Sequence, residues 1–249
     1  MPTVEENRLR WSTYEWDERG DEWSVVWGGT PYLWHAALFP RLMNFLPASR
    51  ILEIAPGHGR FTQYLKDLCD ELVIVDLTAE CIDVCRERFR EASNISYHVN
   101  DGKSLDFVHD GSLDFVFSFD SLVHAEADVL EAYVHELGSK LAPNGLGFLH
   151  HSNVEAYRDP KTGELNCENP HWRGERMSAR LFREYCEAAS LECISQELVN
   201  WGGLHYLTDS FSVFTPKGSR YARPTEVVEN SGFMAEAITI QAVSKLYKR

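Results

Sequence analysis

Apolar residues come in short blocks separated by polar turns. Ile51-Leu52-Glu53-Ile54-Ala55, Leu72-Val73-Ile74-Val75-Asp76, residues 94–99, 114–119 and 147–151 are rich in β-branched and aromatic side chains, as in strands covered on both faces. Between them the pattern turns helical over 61–69, over 79–90 behind a Thr78 cap, and over 128–141, where Pro143-Asn144-Gly145 supplies a stop. The order β-α-β-α-β-β-α-β predicts a mostly parallel sheet that binds ligands at the carboxyl ends of its strands. A helix over 177–189 follows, then strands over 191–201 and 209–215, joined through Gly202-Gly203, which read as an antiparallel hairpin closing the sheet. Residues 225–247 read as helical. The expected fold class is α/β, a seven-stranded sheet in one domain, with a helical and aromatic cap over 1–48, a core over 49–216 and an extension over 217–249.

The first strand runs into Pro56-Gly57-His58-Gly59, a turn whose glycines permit positive φ or close backbone approach. A strand, a glycine turn and a helix suit a nucleotide-like ligand, and equally an ordinary strand-to-helix connection. Asp76 lies about 20 residues beyond the turn, the spacing at which a carboxylate meets ribose hydroxyls. Its alternative role, a helix cap, is weakened because Thr78 can serve. Asp101-Gly102 after the third strand suits an adenine amino group or plain turn chemistry.

Ahead of the core stand Trp11, Tyr14, Trp16, Trp23, Trp27, Tyr32 and Trp34, interleaved with acids. These rings either staple an N-terminal arm onto the core or roof a pocket, where flat faces beside carboxylates suit sugar rings or a sulfonium. The formal net charge of −14, with no basic stripe, argues against a nucleic-acid partner. No apolar run is long enough to span a membrane, and the polar start lacks the order of a signal peptide, so the expected compartment is cytoplasmic. The six cysteines complete no zinc pattern and read as reduced thiols.

Together these features resemble the class I S-adenosylmethionine-dependent methyltransferases, a Rossmann-like fold. Their first motif is acid-x-x-x-Gly-x-Gly, matched by Glu53, Gly57 and Gly59, with Pro56 in place of the usual first glycine. The resemblance implies S-adenosylmethionine as cofactor, held by Glu53, Ala55, Gly57, Gly59, Asp76, Leu77, Asp101, Gly102 and Asp120. Within that superfamily the aromatic N-terminal segment, SFDSLVH and HHSN are similar to bacterial sugar and polysaccharide O-methyltransferases. The acceptor implied is a carbohydrate or another small molecule. A homodimer is compatible with this reading.

Methylating an alcohol requires removal of a proton, and His124, four residues after Asp120, is the candidate base, with a backbone-bonded helix-start histidine as the alternative. Asp120, His151 and Asn153 form a candidate ligand set for a magnesium-type ion, while Tyr14, Trp23, Trp27 and His150 are candidates for contact with the acceptor. His150 and His151 face opposite sides of their strand, and the sequence does not choose which enters the pocket. Three rivals remain. An rRNA adenine dimethylase would need an Asn/Asp-Pro-Pro-Tyr-like or Asn-Leu-Pro-Tyr-like clamp where Ser118-Phe119-Asp120-Ser121 stands; a nicotinamide dehydrogenase would need a third glycine where Thr62 stands; a non-catalytic cofactor-binding protein would have a filled acceptor pocket.

Overall fold

The structure, a computed structural model, describes residues 3–203 and 205–247. Helix α1 (Val4–Thr13) starts in a capping box, in which the Thr3 hydroxyl accepts the Glu6 N–H and the Glu6 carboxylate accepts the Thr3 N–H. A 3₁₀ segment (Asp21–Trp27) leads to α2 (Thr30–Tyr32), a π-helical stretch (Leu33–Leu38) and α3 (Phe39–Leu42), which bury Leu33, Trp34, Leu38 and Leu42.

The core then alternates: β1 (Ala48–Ile54), α4 (Thr62–Leu65), β2 (Cys69–Asp76), α5 (Ala79–Arg88), β3 (Ile95–Val99), β4 (Leu113–Ser118), α6 (Ala127–Lys140), β5 (Leu141–Ser152), α7 (Ala179–Ala188), β6 (Leu191–Val199), β7 (Asp209–Pro216), β8 (Glu226–Asn230) and α8 (Phe233–Lys245). The sheet order is β3-β2-β1-β4-β5-β7-β6-β8. Strands β1 to β5 pair in parallel, and β7 runs antiparallel between β5 and β6.

Three expectations need correction. The sheet has eight strands, because Glu226–Asn230 pairs in parallel with β6 instead of joining the C-terminal helix; Val227 and Val228 give that stretch a strand-forming centre. The helix after the glycine turn is only Thr62–Leu65, since pairing of Ala48 with Cys69 draws the following residues into β2. Strand β5 starts at Leu141, and a register shift against β4 accommodates Pro143-Asn144-Gly145 within it.

Buried side chains fill both faces of the sheet. One layer joins Trp34, Leu38, Leu65, Ile82 and Phe233 to Ile51, Phe115 and Phe117; the other joins Leu130, Val134 and Leu137 of α6 and Phe182 of α7 to Leu52, Val73 and Val116. With its faces covered, the sheet exposes chemistry at the ends of its strands. Among the described residues no helix is long and apolar enough to cross a membrane.

Candidate functional site

At the carboxyl ends of the parallel strands the backbone enters conformations that side chains disfavour: Ala55 has φ 57° after β1 and Asp120 has φ 60° after β4. A cavity of about 370 Å³ opens over this edge. Of the candidate site residues, Ala55, Gly57, Asp76, Leu77, Gly102, Asp120 and His124 border it. Trp11, Trp16 and Trp23 of the N-terminal cap border it as well, and His171, Trp172 and Arg173 of the long loop before α7 form another wall.

The glycine turn does two jobs. Gly57 (φ +57°) lies against the Trp16 ring, where a Cβ would come within 2.9 Å of that ring, and its N–H donates to Asp76 Oδ2 at 3.2 Å. Asp76 Oδ1 accepts the Thr78 N–H and hydroxyl, and burial pushes this carboxyl up to about 6. Gly59 instead turns inward: a Cβ there would sit 2.5 Å from the Phe89 ring, so it serves helix packing. Glu53 is buried away from the cavity and accepts a 2.6 Å hydrogen bond from the Thr62 hydroxyl; burial pushes it up to about 8. The residue at the absent third glycine is thus the partner of the motif acid. Asp101 is exposed, its carboxylate accepting the N–H groups of Lys103 and Ser104, so the turn role prevails and Gly102 alone borders the cavity.

Asp120 is the most constrained group at the site. Its carboxylate pairs with Arg60 at 2.9 Å and lies 3.9 Å from Arg173, and its N–H donates to His150 Nδ1 at 3.1 Å. His124 Nδ1 lies 3.1 Å from the Trp172 carbonyl, and because a carbonyl only accepts, that nitrogen carries the proton. Nε2 makes no hydrogen bond to the described residues. Burial first, and Arg173 second, push this imidazole down to about 4, so it is neutral at physiological pH.

The expected magnesium ligands are not brought together. His151 is stacked on Phe182 at 4.5 Å under α7 and hydrogen-bonded to the Ser152 carbonyl and the Ser212 hydroxyl. Asn153 spends its amide on the Leu207 carbonyl and the Ala179 N–H. Asp120 already faces two guanidinium groups, and among the described residues no His/Cys/Asp/Glu cluster could hold a metal ion. These residues do not fit the ion. His150 does lie on the opposite face from His151, as alternation requires, but it is buried against Phe119, Trp201 and Phe211, not open to an acceptor. Trp27 is fully buried on Phe233, and Tyr14 packs among Trp11, Trp16 and Trp23 without bordering the cavity. Of the four acceptor candidates, Trp23 alone borders it.

Residues 51–145 match the family model described as a methyltransferase domain. A stretch of 112 residues is 30% identical to nodulation protein S of Sinorhizobium fredii, covering 45% of this chain and 51% of that protein. A shorter stretch of 57 residues is 32% identical to ribosomal RNA small subunit methyltransferase A of Coxiella burnetii, covering 23% of this chain and 22% of that one. The chain thus spans about half the length of the first relative and less of the second. Among solved structures, the DhpI–SAH complex superposes with a TM-score of 0.55 at 21% identity, over 86% of this chain and 95% of that one, a likeness of fold.

Several residues that shape the cavity carried no motif. Arg60 follows the glycine turn, Arg173 sits in a polar loop, and Asp209 opens β7. The one available signal was Asp209 itself, an acid heading a buried strand that otherwise carries only hydroxyl and apolar side chains and Pro216, and such an acid needs a partner. His58, unexplained by the sequence, stacks on Trp16 with ring centroids 4.3 Å apart and so joins the glycine turn to the cap.

Proposed function

We propose that this protein transfers the methyl group of S-adenosylmethionine to a hydroxyl of a carbohydrate acceptor in the cytoplasm. The observation that carries the proposal is His124: a neutral imidazole beside Asp120 at the cavity, its Nδ1–H committed to the Trp172 carbonyl and its Nε2 uncommitted. The cofactor fits the residues present. Asp76 is a buried carboxylate bordering the cavity, at the place and spacing suited to ribose hydroxyls, and the Gly57 turn and Gly102 admit close approach of a ligand to the backbone. When bound, S-adenosylmethionine supplies an electrophilic methyl on a sulfonium whose departure as a thioether needs no acid.

His124 Nε2 takes the acceptor's hydroxyl proton as the new C–O bond forms and the C–S bond breaks; the products are a methyl ether and S-adenosylhomocysteine. Asp120, oriented between Arg60 and Arg173, stabilises the histidine's positive charge. The flat faces of Trp11, Trp23, Trp172 and Trp201 line the cavity, which favours a ring with apolar faces and polar edges, as a sugar has. The net charge of −14 favours a neutral acceptor over a nucleic acid.

Calorimetry tests the cofactor half. We expect S-adenosylmethionine to bind, NAD not to bind, and Asp76→Asn to weaken S-adenosylmethionine about tenfold, the scale of one lost charge-assisted hydrogen bond. Binding of NAD without S-adenosylmethionine would end this reading.

A further inference from the structure

We infer that Asp209, which touches neither the cavity nor any acceptor, is a positioning residue that sets the geometry of both Asp120 and His124. The inference rests on the reading of His124 as the base. Asp209 is wholly buried at the first position of β7. Its Oδ2 accepts His150 Nε2 at 2.9 Å and an Arg173 terminal nitrogen at 2.8 Å, and its Oδ1 accepts Arg173 Nε at 3.2 Å. Two branches leave this carboxylate, and each ends on a residue of the proposed chemistry.

The first branch runs through His150, which is itself wholly buried. Donating Nε2–H to Asp209 leaves a lone pair on Nδ1, and that lone pair accepts the Asp120 N–H at 3.1 Å. Asp120 is thereby held at φ 60°, a left-handed backbone conformation that side chains disfavour, with its carboxylate aimed at Arg60. A histidine in the other tautomer would point N–H at N–H and release that residue.

The second branch runs through Arg173. While two of its nitrogens hold Asp209, a third donates to the His171 carbonyl at 3.3 Å, and the guanidinium lies over the Trp201 ring. The side chain therefore spans Trp172, another residue with positive φ, at 52°, whose carbonyl accepts the His124 Nδ1–H. The Gly174 N–H to the Val123 carbonyl and the paired hydrogen bonds between Asn169 and Arg173 hold the path of the loop; Asp209 is what fixes the guanidinium. A wholly buried, ionised carboxylate is a costly way to stabilise a sheet, whereas paired with His150 and Arg173 it is an effective way to fix two tautomers at once.

The test uses the whole chain with ¹⁵N-labelled histidine and reads ring tautomers by NMR, which needs no acceptor, and then turnover on a sugar that the wild type methylates. In the wild type, His124 should show a single Nδ1–H tautomer and His150 a single Nε2–H tautomer. In Asp209→Asn the amide oxygen can still accept from His150, but the charge holding Arg173 is gone, and His124 should become a mixture of tautomers. Turnover should fall about 100-fold, as loss of oriented proton transfer implies, while the dissociation constant for S-adenosylmethionine stays within about threefold. Arg173→Gln, on a loop outside the sheet, should disorder the His124 tautomer but keep that of His150, and it decides the matter if the Asp209 variant does not fold. Unchanged His124 tautomers in either folded variant would overturn the inference. A tautomer shift accompanied by full turnover would overturn instead the reading of His124 as the base.

Discussion

Glu53 shows how the same residue can be legible by type and misread by role. The motif marks an acid on β1, and an acid is there, but it points into protein, bonded to Thr62 and held up at about 8 by burial. Its folded value lies above its ordinary 4.5, so the folded state keeps a proton that the unfolded chain has released. Stability from this group is therefore fully present below about 4.5 and is lost as pH rises through about 8. Glu53→Gln keeps an acceptor for the Thr62 hydroxyl and removes the ionisation, so we expect its melting temperature at pH 8.5 to exceed the wild type's by about 2–4 °C, with a flatter pH dependence. A thermal scan across pH checks this; an unchanged slope would contradict it. Asp76 was readable because a strand end and a fixed spacing put a carboxylate at a cleft. Asp101 was not, because an Asp-Gly pair satisfies itself locally with the N–H groups of Lys103 and Ser104. The ties among Asp120, His150, Arg173 and Asp209 join residues far apart in sequence, and no local pattern announces them.

At the scale of elements, the first helix of the N-terminal cap reaches over the cavity without being part of the core. Helix α1 buries none of its residues, yet it reaches the site through Asn7, whose amide donates to the His124 carbonyl at 3.0 Å, and through Arg10, which lies 4.5 Å over the Trp172 ring. Trp16 completes the roof on the His58 ring and Gly57. An element with so little buried surface opens at low cost, as a cover over a ligand must. Trp16→Ala should therefore weaken S-adenosylmethionine binding about tenfold while shifting the melting temperature by less than about 2 °C, since few core contacts are lost. A large drop in stability with unchanged affinity would show the ring to be a structural staple. The sequence offered both readings of the tryptophans, and the structure divides them: Trp27 and Trp34 are core, while Trp11, Trp16 and Trp23 border the cavity. Spacing could not separate them, because the segment mixes 3₁₀, α and π turns and has no single helical period.

For the whole molecule, the alternation of strands and helices was enough to give the sheet and the edge at which the cavity opens. The eighth strand was not legible, because five residues of mixed polarity carry little period-two signal, and the pairing with β6 decides their conformation. That strand and α8 are tied back to the cap by Arg41, which pairs with Glu197 at 2.8 Å and Glu236 at 2.9 Å, while Asn230 donates to both carboxylates. The C-terminal region so held brings Met234 to the cavity. Cap, sheet edge, loop and C-terminal helix thus converge on one enclosure around His124. The most direct measurement is transfer of labelled methyl from S-adenosylmethionine to a panel of sugars, phenols and RNA, with and without EDTA, by the wild type and His124→Ala. The account predicts labelled methyl ethers on sugars, insensitive to EDTA, and a loss of about 100-fold or more in the variant at unchanged cofactor affinity. Transfer to RNA alone, or full turnover by His124→Ala, would contradict it.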